Sequence, residues 1–297
     1  MTTHDPQSDA GDSSRTDLLP DPDTCAWVVA QVGDVRWGER LDTPFGEARV
    51  QRAAAIDDSD RWILKQHRAA AGHRAETAAL LTLGPQLRPH IPALVAYRDA
   101  PRALLLRQSP GTPVDQLREP TALAAAYEAA GGFLTQLQSV PLLSRDPMSI
   151  EEAIARRLAG WLDRSPLSNQ LRGLANALVD PTCFTGTDRV WAHRDFQPAN
   201  WLWDGTSLTV LDFGHARPDS AVADLVKLAA GPWRRDLSLK EAFQRGYRGP
   251  YDRRREAQLS SLCALHGLAT ASWGARHGDE AARREGEAVL RWCADRT

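Results

Sequence analysis

Lysine is scarce in this chain: Arg supplies almost all of its 36 basic residues, and Lys occurs only as Lys65, Lys227 and Lys240. Those 36 basic residues face 38 acidic ones, for a formal net charge of -2. Without a global field of either sign, the chain is not built to collect nucleic acid or an anionic membrane surface, and a partner has to be recognised locally. Cysteine is also sparse. Cys25, Cys183, Cys263 and Cys293 are scattered, with no C-x-x-C pair, which excludes the usual zinc and redox motifs and predicts reduced, mostly buried thiols. There is no basic start followed by an apolar run, and no later run is long enough to span a bilayer, so a cytoplasmic protein is expected. Large apolar side chains are nearly missing from Met1 to Thr24, a stretch rich in Asp, Ser, Thr and Pro. Such a segment cannot offset its ordering entropy by burial, and residues 1–24 are expected to form a flexible tail.

What remains is globular in composition, 42% hydrophobic and 25% charged, and 297 residues approach the length at which one core gives way to two. After a short apolar stretch from Cys25 to Val32 that could be helical, strand patterns at Trp37 to Leu41, Ala48 to Ile56 and Arg61 to Gln66 alternate with turn-prone Asp42-Thr43-Pro44-Phe45-Gly46 and Asp57-Asp58-Ser59-Asp60. A helix is expected over Ala69 to Leu83, stopped by Gly84-Pro85, and then strands over Ala93 to Arg98 and Ala103 to Arg107. From Pro120 the chain turns Ala- and Leu-rich, with helical patterns at Thr121 to Gln138, Ser149 to Leu162 and Leu171 to Leu178. A small hairpin is expected around Asp204-Gly205, followed by helices from Ala221, Leu239 and Arg255. The expected architecture is α+β and bilobal: a five-stranded antiparallel sheet with one helix over residues 25–108, and a mainly helical lobe over residues 109–297.

The chemistry is concentrated between His193 and Gly214. His193-Arg194-Asp195 is followed by Asn200, five residues after the Asp, and then, past the hairpin, by Asp212-Phe213-Gly214. Either piece alone is a common turn or core motif; their order and spacing together form a kinase catalytic loop and the metal-binding triplet that follows it. Phosphoryl transfer asks a protein mainly to position a nucleophile and to neutralise phosphate charge. Asp195 can accept the proton of an attacking hydroxyl, while Asn200 and Asp212 offer hard oxygens to Mg²⁺. Upstream, Lys65 ends a strand pattern and Glu76 lies on the next helix, the order in which a lysine meets nucleotide phosphates and a glutamate fixes the lysine.

With these residues the chain resembles the aminoglycoside phosphotransferase family, small-molecule kinases of protein-kinase-like fold, from about Trp37 onward. The Asp224-Leu225 pair falls in the same order, and the resemblance implies that Asp224 braces the catalytic loop. It also implies that adenine is held by backbone groups of the connector after Leu104-Leu105-Leu106, here near Gln108 and Ser109, and that ATP and Mg²⁺ are the cofactors. Two departures from protein kinases bear on the acceptor. Only Gly46 stands between the first two strands, so the G-x-G-x-x-G loop is missing, and only twelve positions separate Asp212 from Asp224, too few for a peptide-binding activation segment. A protein acceptor is therefore disfavoured and a small hydroxyl compound expected.

Other residues near the motif have plainer readings. His193 reads as a structural residue bonding backbone near Asp212. Arg194 reads as packed or paired locally. His215 either faces the substrate or caps its turn. Trp191, Trp201 and Trp203 read as packing residues, and His266 and His277 as solvated helix residues. From Leu225 to Thr297 fourteen basic residues outnumber nine acidic ones, whereas a polycationic aminoglycoside calls for acidic walls. The expected function is thus ATP-dependent transfer of a phosphoryl group to a hydroxyl of a small molecule. An antibiotic, whether an aminoglycoside or a peptide, is the leading acceptor class. The alternatives are a metabolic kinase acting on choline, a sugar or homoserine, or a nucleotide-binding pseudokinase without turnover.

Overall fold

The computed structural model describes residues 19–41, 46–143, 146–249 and 251–296. Most of the expected tail and residues 42–45 of the first expected turn lie outside these ranges. The last residues assigned to the tail do not belong to it, because Pro22 opens helix α1 (Pro22–Val32). The Asp21 carboxylate accepts the Thr24 N–H at 2.9 Å, and Pro22 sits where its missing N–H costs nothing.

The chain divides into two compact units, one comprising the chain up to Thr77 with Ala93–Gln108, the other Ala78–Pro92 with Ser109–Thr297. In the first, strands β1 (Val35–Arg40), β2 (Ala48–Ala55), β3 (Arg61–His67), β4 (Leu94–Asp99) and β5 (Arg102–Arg107) form an antiparallel sheet in the order β1-β2-β3-β5-β4. Strand β3 is central, with Lys65 opposite Val50 on one side and Leu104 on the other. Side chains alternate faces along a strand, and in β3 this separates two jobs. Trp62 and Leu64 join Val28 of α1, Ala53, Ala103 and Leu105 in an apolar core, and Gln66 on the same face bonds to Thr24. Lys65 and His67 are thereby turned to the other face, where Glu76 of helix α2 (Ala70–Leu87) meets them.

Helix α2 runs four residues past its expected stop. Pro85 lies inside it, and Leu83 and Leu87 on either side are buried. Their continued packing outweighs the single hydrogen bond that Pro85 cannot donate.

The second unit is mainly helical, with α3 (Pro120–Ser139), α4 (Ile150–Arg164), α5 (Asn169–Leu178), α8 (Leu237–Gly246), α9 (Arg253–His277) and α10 (Glu280–Ala294). The hairpin is present as β8 (Trp201–Trp203) and β9 (Leu208–Val210), turning at Gly205 with φ 101°. Strand β6 (Thr112–Pro113) extends it, and β7 (Val190–Ala192) pairs with β10 (Arg217–Asp219); these short strands carry too few residues for a period to be seen. The helix expected from Ala221 is instead a 3₁₀ turn, Ala223–Leu225, leading into the short α6 (Val226–Ala230) and α7 (Pro232–Arg235). Gly231-Pro232 interrupts helical propagation between them.

Trp201 and Trp203 are buried, Trp201 with its ring 4.6 Å from Phe196 and edge-on to Tyr127 at 5.4 Å. These two tryptophans are core residues, as the sequence suggests. Cys263 and Cys293 are buried, Cys25 and Cys183 half-buried, and all four are free thiols. Among the described residues no helix is long and apolar enough to cross a membrane.

Helices α3 and α8 approach through bare backbone. A Cβ on Gly246 would collide with the Glu128 carbonyl, and one on Gly131 with that of Phe243. Gly246→Ala is expected to lower stability by about 2 kcal/mol, read as a shifted urea midpoint; an unchanged midpoint would show that the helices can part at no cost.

Candidate active site

Strand β7 delivers the chain to the loop His193–Asn200, and Asp224 fixes how that loop begins. Its Oδ2 accepts the His193 N–H at 2.9 Å and its Oδ1 the Arg194 N–H at 2.6 Å, with the carboxyl group 1% exposed. Burial pushes the Asp224 carboxyl up to about 8, and the His193 N–H acts in the opposite direction. Arg194 has φ 66°, a left-handed conformation that costs an ordinary residue about 1 kcal/mol. The two bonds to Asp224 hold it there. The Arg194 side chain pairs with Asp219 of β10 at 2.9 Å, the local pairing expected of it.

His193 is fully buried. Its Nδ1 accepts the Asp195 N–H at 3.2 Å, so the ring proton belongs on Nε2, which donates to the Leu211 carbonyl at 2.8 Å. The ring also packs on Phe213 at 4.7 Å between centroids. It thus ties the loop to the strand end before Asp212, which is the structural role read from the sequence.

Asn200 donates through Nδ2 to the Asp195 carbonyl at 2.8 Å and to Asp195 Oδ2 at 3.0 Å. Both partners only accept, so the amide must present its nitrogen to them, which turns Oδ1 away. The Leu211 N–H donates to the Asn200 carbonyl at 2.8 Å, drawing Asn200 and Asp212 together. Asp212 has φ 63° and its Oδ1 lies 3.4 Å from the Gly214 N–H. An amide oxygen and a carboxylate suit Mg²⁺, which prefers one or two protein oxygens and fills its other positions with water and phosphate. Among the described residues no cluster of three or more His, Cys, Asp or Glu side chains offers a protein-only metal cage.

Sequence reasoning missed Lys227. From α6 its ammonium contacts Asp195 Oδ1, the same oxygen that accepts the Gln197 amide at 2.9 Å. The signal was present: Lys227 is one of three lysines in an Arg-rich chain and follows Asp224 by three positions. The reading of His266 as solvated is corrected. It lies half-buried on the inner side of α9, where it lines a cavity of about 750 Å³ together with Gln197, Lys227 and His215. Burial, with Lys227 acting in the same sense, pulls its pKa down to about 4. His215, at the end of the 3₁₀ turn Phe213–His215, lines the same cavity.

In the other unit Lys65 Nζ and Glu76 Oε2 form a buried ion pair at 2.6 Å, and His67 Nε2 lies 2.9 Å from the same oxygen. His67, two residues after Lys65 on the same strand face, was not anticipated. The Gln108 N–H donates to the Arg61 carbonyl at 2.9 Å, extending the ladder of β3 and β5 by one residue, so this group is committed within the sheet. Ser109 follows it, half-buried.

This geometry is that of a phosphotransferase. The chain belongs to the APH phosphotransferase enzyme family, whose model matches residues 43–259. Comparison with curated proteins finds no relative of matching sequence. Among solved structures, the macrolide 2'-phosphotransferase MphH from Brachybacterium faecium superposes with a TM-score of 0.65 at 20% identity, covering 93% of this chain and 98% of that one. The GDP and kanamycin complex of APH(2")-IIia gives 0.67 at 16% identity, covering 93% and 99%. A ternary complex of APH(4)-Ia with AMP-PNP and hygromycin B gives 0.68 at 15%, covering 90% and 97%. These establish a shared α+β kinase-like fold.

The depressed His266 pKa makes a stability prediction. The folded state holds the ring neutral, so its contribution is full above pH 6.5 and is lost as the pH falls toward 4. Thermal melts should show a fall in midpoint across that window that His266→Gln reduces, with a difference of up to about 3 kcal/mol at its acid end. Superimposable profiles of the two proteins would contradict the burial argument.

Proposed function

We propose that this chain transfers the γ-phosphoryl group of ATP, with Mg²⁺, to a hydroxyl of a small molecule. The observation that carries the proposal is the placement of Asp195, held by Asn200 and Gln197, beside Lys227 and the cavity that Gln197 and Lys227 line.

In this reading Asp195 orients the acceptor hydroxyl and takes its proton as the new O–P bond forms and the bond from the γ-phosphorus to the bridging oxygen breaks to release ADP, while Gln197 and Asn200 fix the carboxylate so that little reorganisation is needed at that moment. Asn200 Oδ1 and the Asp212 carboxylate would hold Mg²⁺, which when bound neutralises charge on the phosphate oxygens. Lys65 would contact the α- and β-phosphates, its ammonium kept in place by Glu76, which His67 braces. The Gln108 carbonyl and the backbone of Ser109 would hold the adenine edge, the Gln108 N–H being spent on Arg61. A cytoplasmic location, where ATP is available, fits this reading. The names of the matched structures, a macrolide phosphotransferase and enzymes in complex with kanamycin and hygromycin B, support an antibiotic as acceptor, with resistance or self-protection as the consequence.

An ADP-release assay over a panel of hydroxylated antibiotics tests this. Asp195→Asn should lower kcat by about 100-fold or more while leaving the melting midpoint within a degree or two, and EDTA should abolish turnover until Mg²⁺ is restored. Turnover that survives Asp195→Asn undiminished would remove Asp195 from its role.

A further inference from the structure

The cavity beside Asp195 has a charge pattern that bears on the acceptor. Its lining contributes two cations, Arg194 and Lys227, and a single carboxylate, Glu285. Each is already engaged within the protein. Arg194 pairs with Asp219 at 2.9 Å, Lys227 with Asp195, and Glu285 with Arg234 at 2.5 Å and Arg235 at 3.8 Å. A ligand carrying several ammonium groups would therefore find one lining carboxylate, flanked by two guanidinium groups, and would face Lys227 next to the reacting centre. Opposing like charges in a partly desolvated cavity penalise binding, and the penalty grows with each added charge.

The rest of the wall has a different character. Trp161 of α4 and Trp273 of α9 present indole surface, and small apolar groups from Ala230, Ala269, Ala282 and Val289 line the same cavity. Each indole is backed on one side by a residue of its own unit: the Arg276 guanidinium lies 5.0 Å from the Trp161 ring, and the His277 ring stacks on Trp273 at 4.5 Å. Hydrogen-bonding groups are supplied by Gln197, His215, Thr270 and His266. His266, whose pKa falls to about 4, adds no charge at neutral pH. A volume of about 750 Å³ is within the usual range for a drug-sized ligand.

We infer that the acceptor is a hydroxylated compound with an apolar ring face and at most one charged group, seated against Trp161 and Trp273, and not a polycationic aminoglycoside. The inference rests on the phosphotransfer reading of this site, but it concerns recognition and can be read without turnover. A ring face gains by covering indole and alanine surface, and scattered hydroxyls meet the neutral donors and acceptors. Homoserine, which has neither a ring nor an extended apolar face, gains little from the indole surface.

The test measures binding and turnover separately on the full-length protein. Binding is followed by tryptophan fluorescence with chloramphenicol and erythromycin as ring compounds carrying no amine or one amine, and with kanamycin and hygromycin B as polycations. Turnover is followed by ADP release on the same four probes. At least one ring compound should saturate the signal with an affinity about 100-fold above that of either polycation. Trp273→Ala should weaken it about tenfold or more, and Ala269→Glu, which adds a carboxylate to the wall, should shift preference toward kanamycin. Circular dichroism establishes that both variants fold. Tighter binding of kanamycin or hygromycin B by the wild-type protein, or no binding of either ring compound, would overturn the inference. Preferred phosphorylation of kanamycin would overturn it while leaving phosphotransfer intact. Ring-compound binding that depends on Trp273, without ADP release, would support it while counting against phosphotransfer.

Discussion

The arrangement of the candidate site depends on one buried carboxyl group. Asp224 receives the N–H groups of His193 and Arg194, and in doing so compensates for the left-handed backbone at Arg194 that sets the direction of the loop. From there the constraints propagate by bonds to backbone. His193 reaches Leu211, Asn200 reaches Asp195, and Leu211 returns to Asn200. Each link leaves a side chain of the next residue aimed elsewhere: Asp195 toward Lys227 and Gln197, and Asn200 Oδ1 away from Asp195. Buried polar networks of this kind are stable only when fully satisfied, and a missing member exposes its neighbours to the whole desolvation cost.

The sheet solves a related problem with a period of two. Core packing of Trp62 and Leu64 on one face of β3 commits Lys65 and His67 to the other, so that apolar burial orients a charge. Glu76 then meets both side chains at a single carboxylate oxygen. An ion pair this buried contributes little net stability, and removing either partner would strand the other. It is better understood as a positioning device, and in the proposed function that position is the phosphate contact of Lys65.

Much of this was legible in the sequence. The sheet, the hairpin at Asp204-Gly205 and the loop from His193 to Asn200 all carry local signals, namely alternation, turn residues and a fixed spacing. The Lys65–Glu76 pairing followed from motif order. What escaped depended on packing across the chain. Helix α2 continues through Pro85 because Leu83 and Leu87 are buried, which no local propensity records. The break of the expected helix at Ala221 into a 3₁₀ turn and short helices is what lets Asp224 and Lys227 both point back at the loop. His266 reads as solvated together with His277, although its own neighbours Leu262, Cys263, Leu265 and Leu268 are apolar and buried; the cavity it shares with Lys227 and Gln197 is built from positions some forty and seventy residues earlier. Strands β6, β7 and β10 are too short to show a pattern.

If the Asp224 carboxyl group sets the loop and the loop performs phosphoryl transfer, then removing it should disable turnover while nucleotide binding measured without Mg²⁺ persists, because Lys65 and Glu76, the proposed phosphate contact, belong to the other unit. The most direct measurement is the rate of ADP release by Asp224→Ala beside its nucleotide affinity. The account predicts a rate lower by about 100-fold or more with an affinity within a few-fold of wild type and a retained helical circular dichroism signal. A rate close to wild type would contradict it.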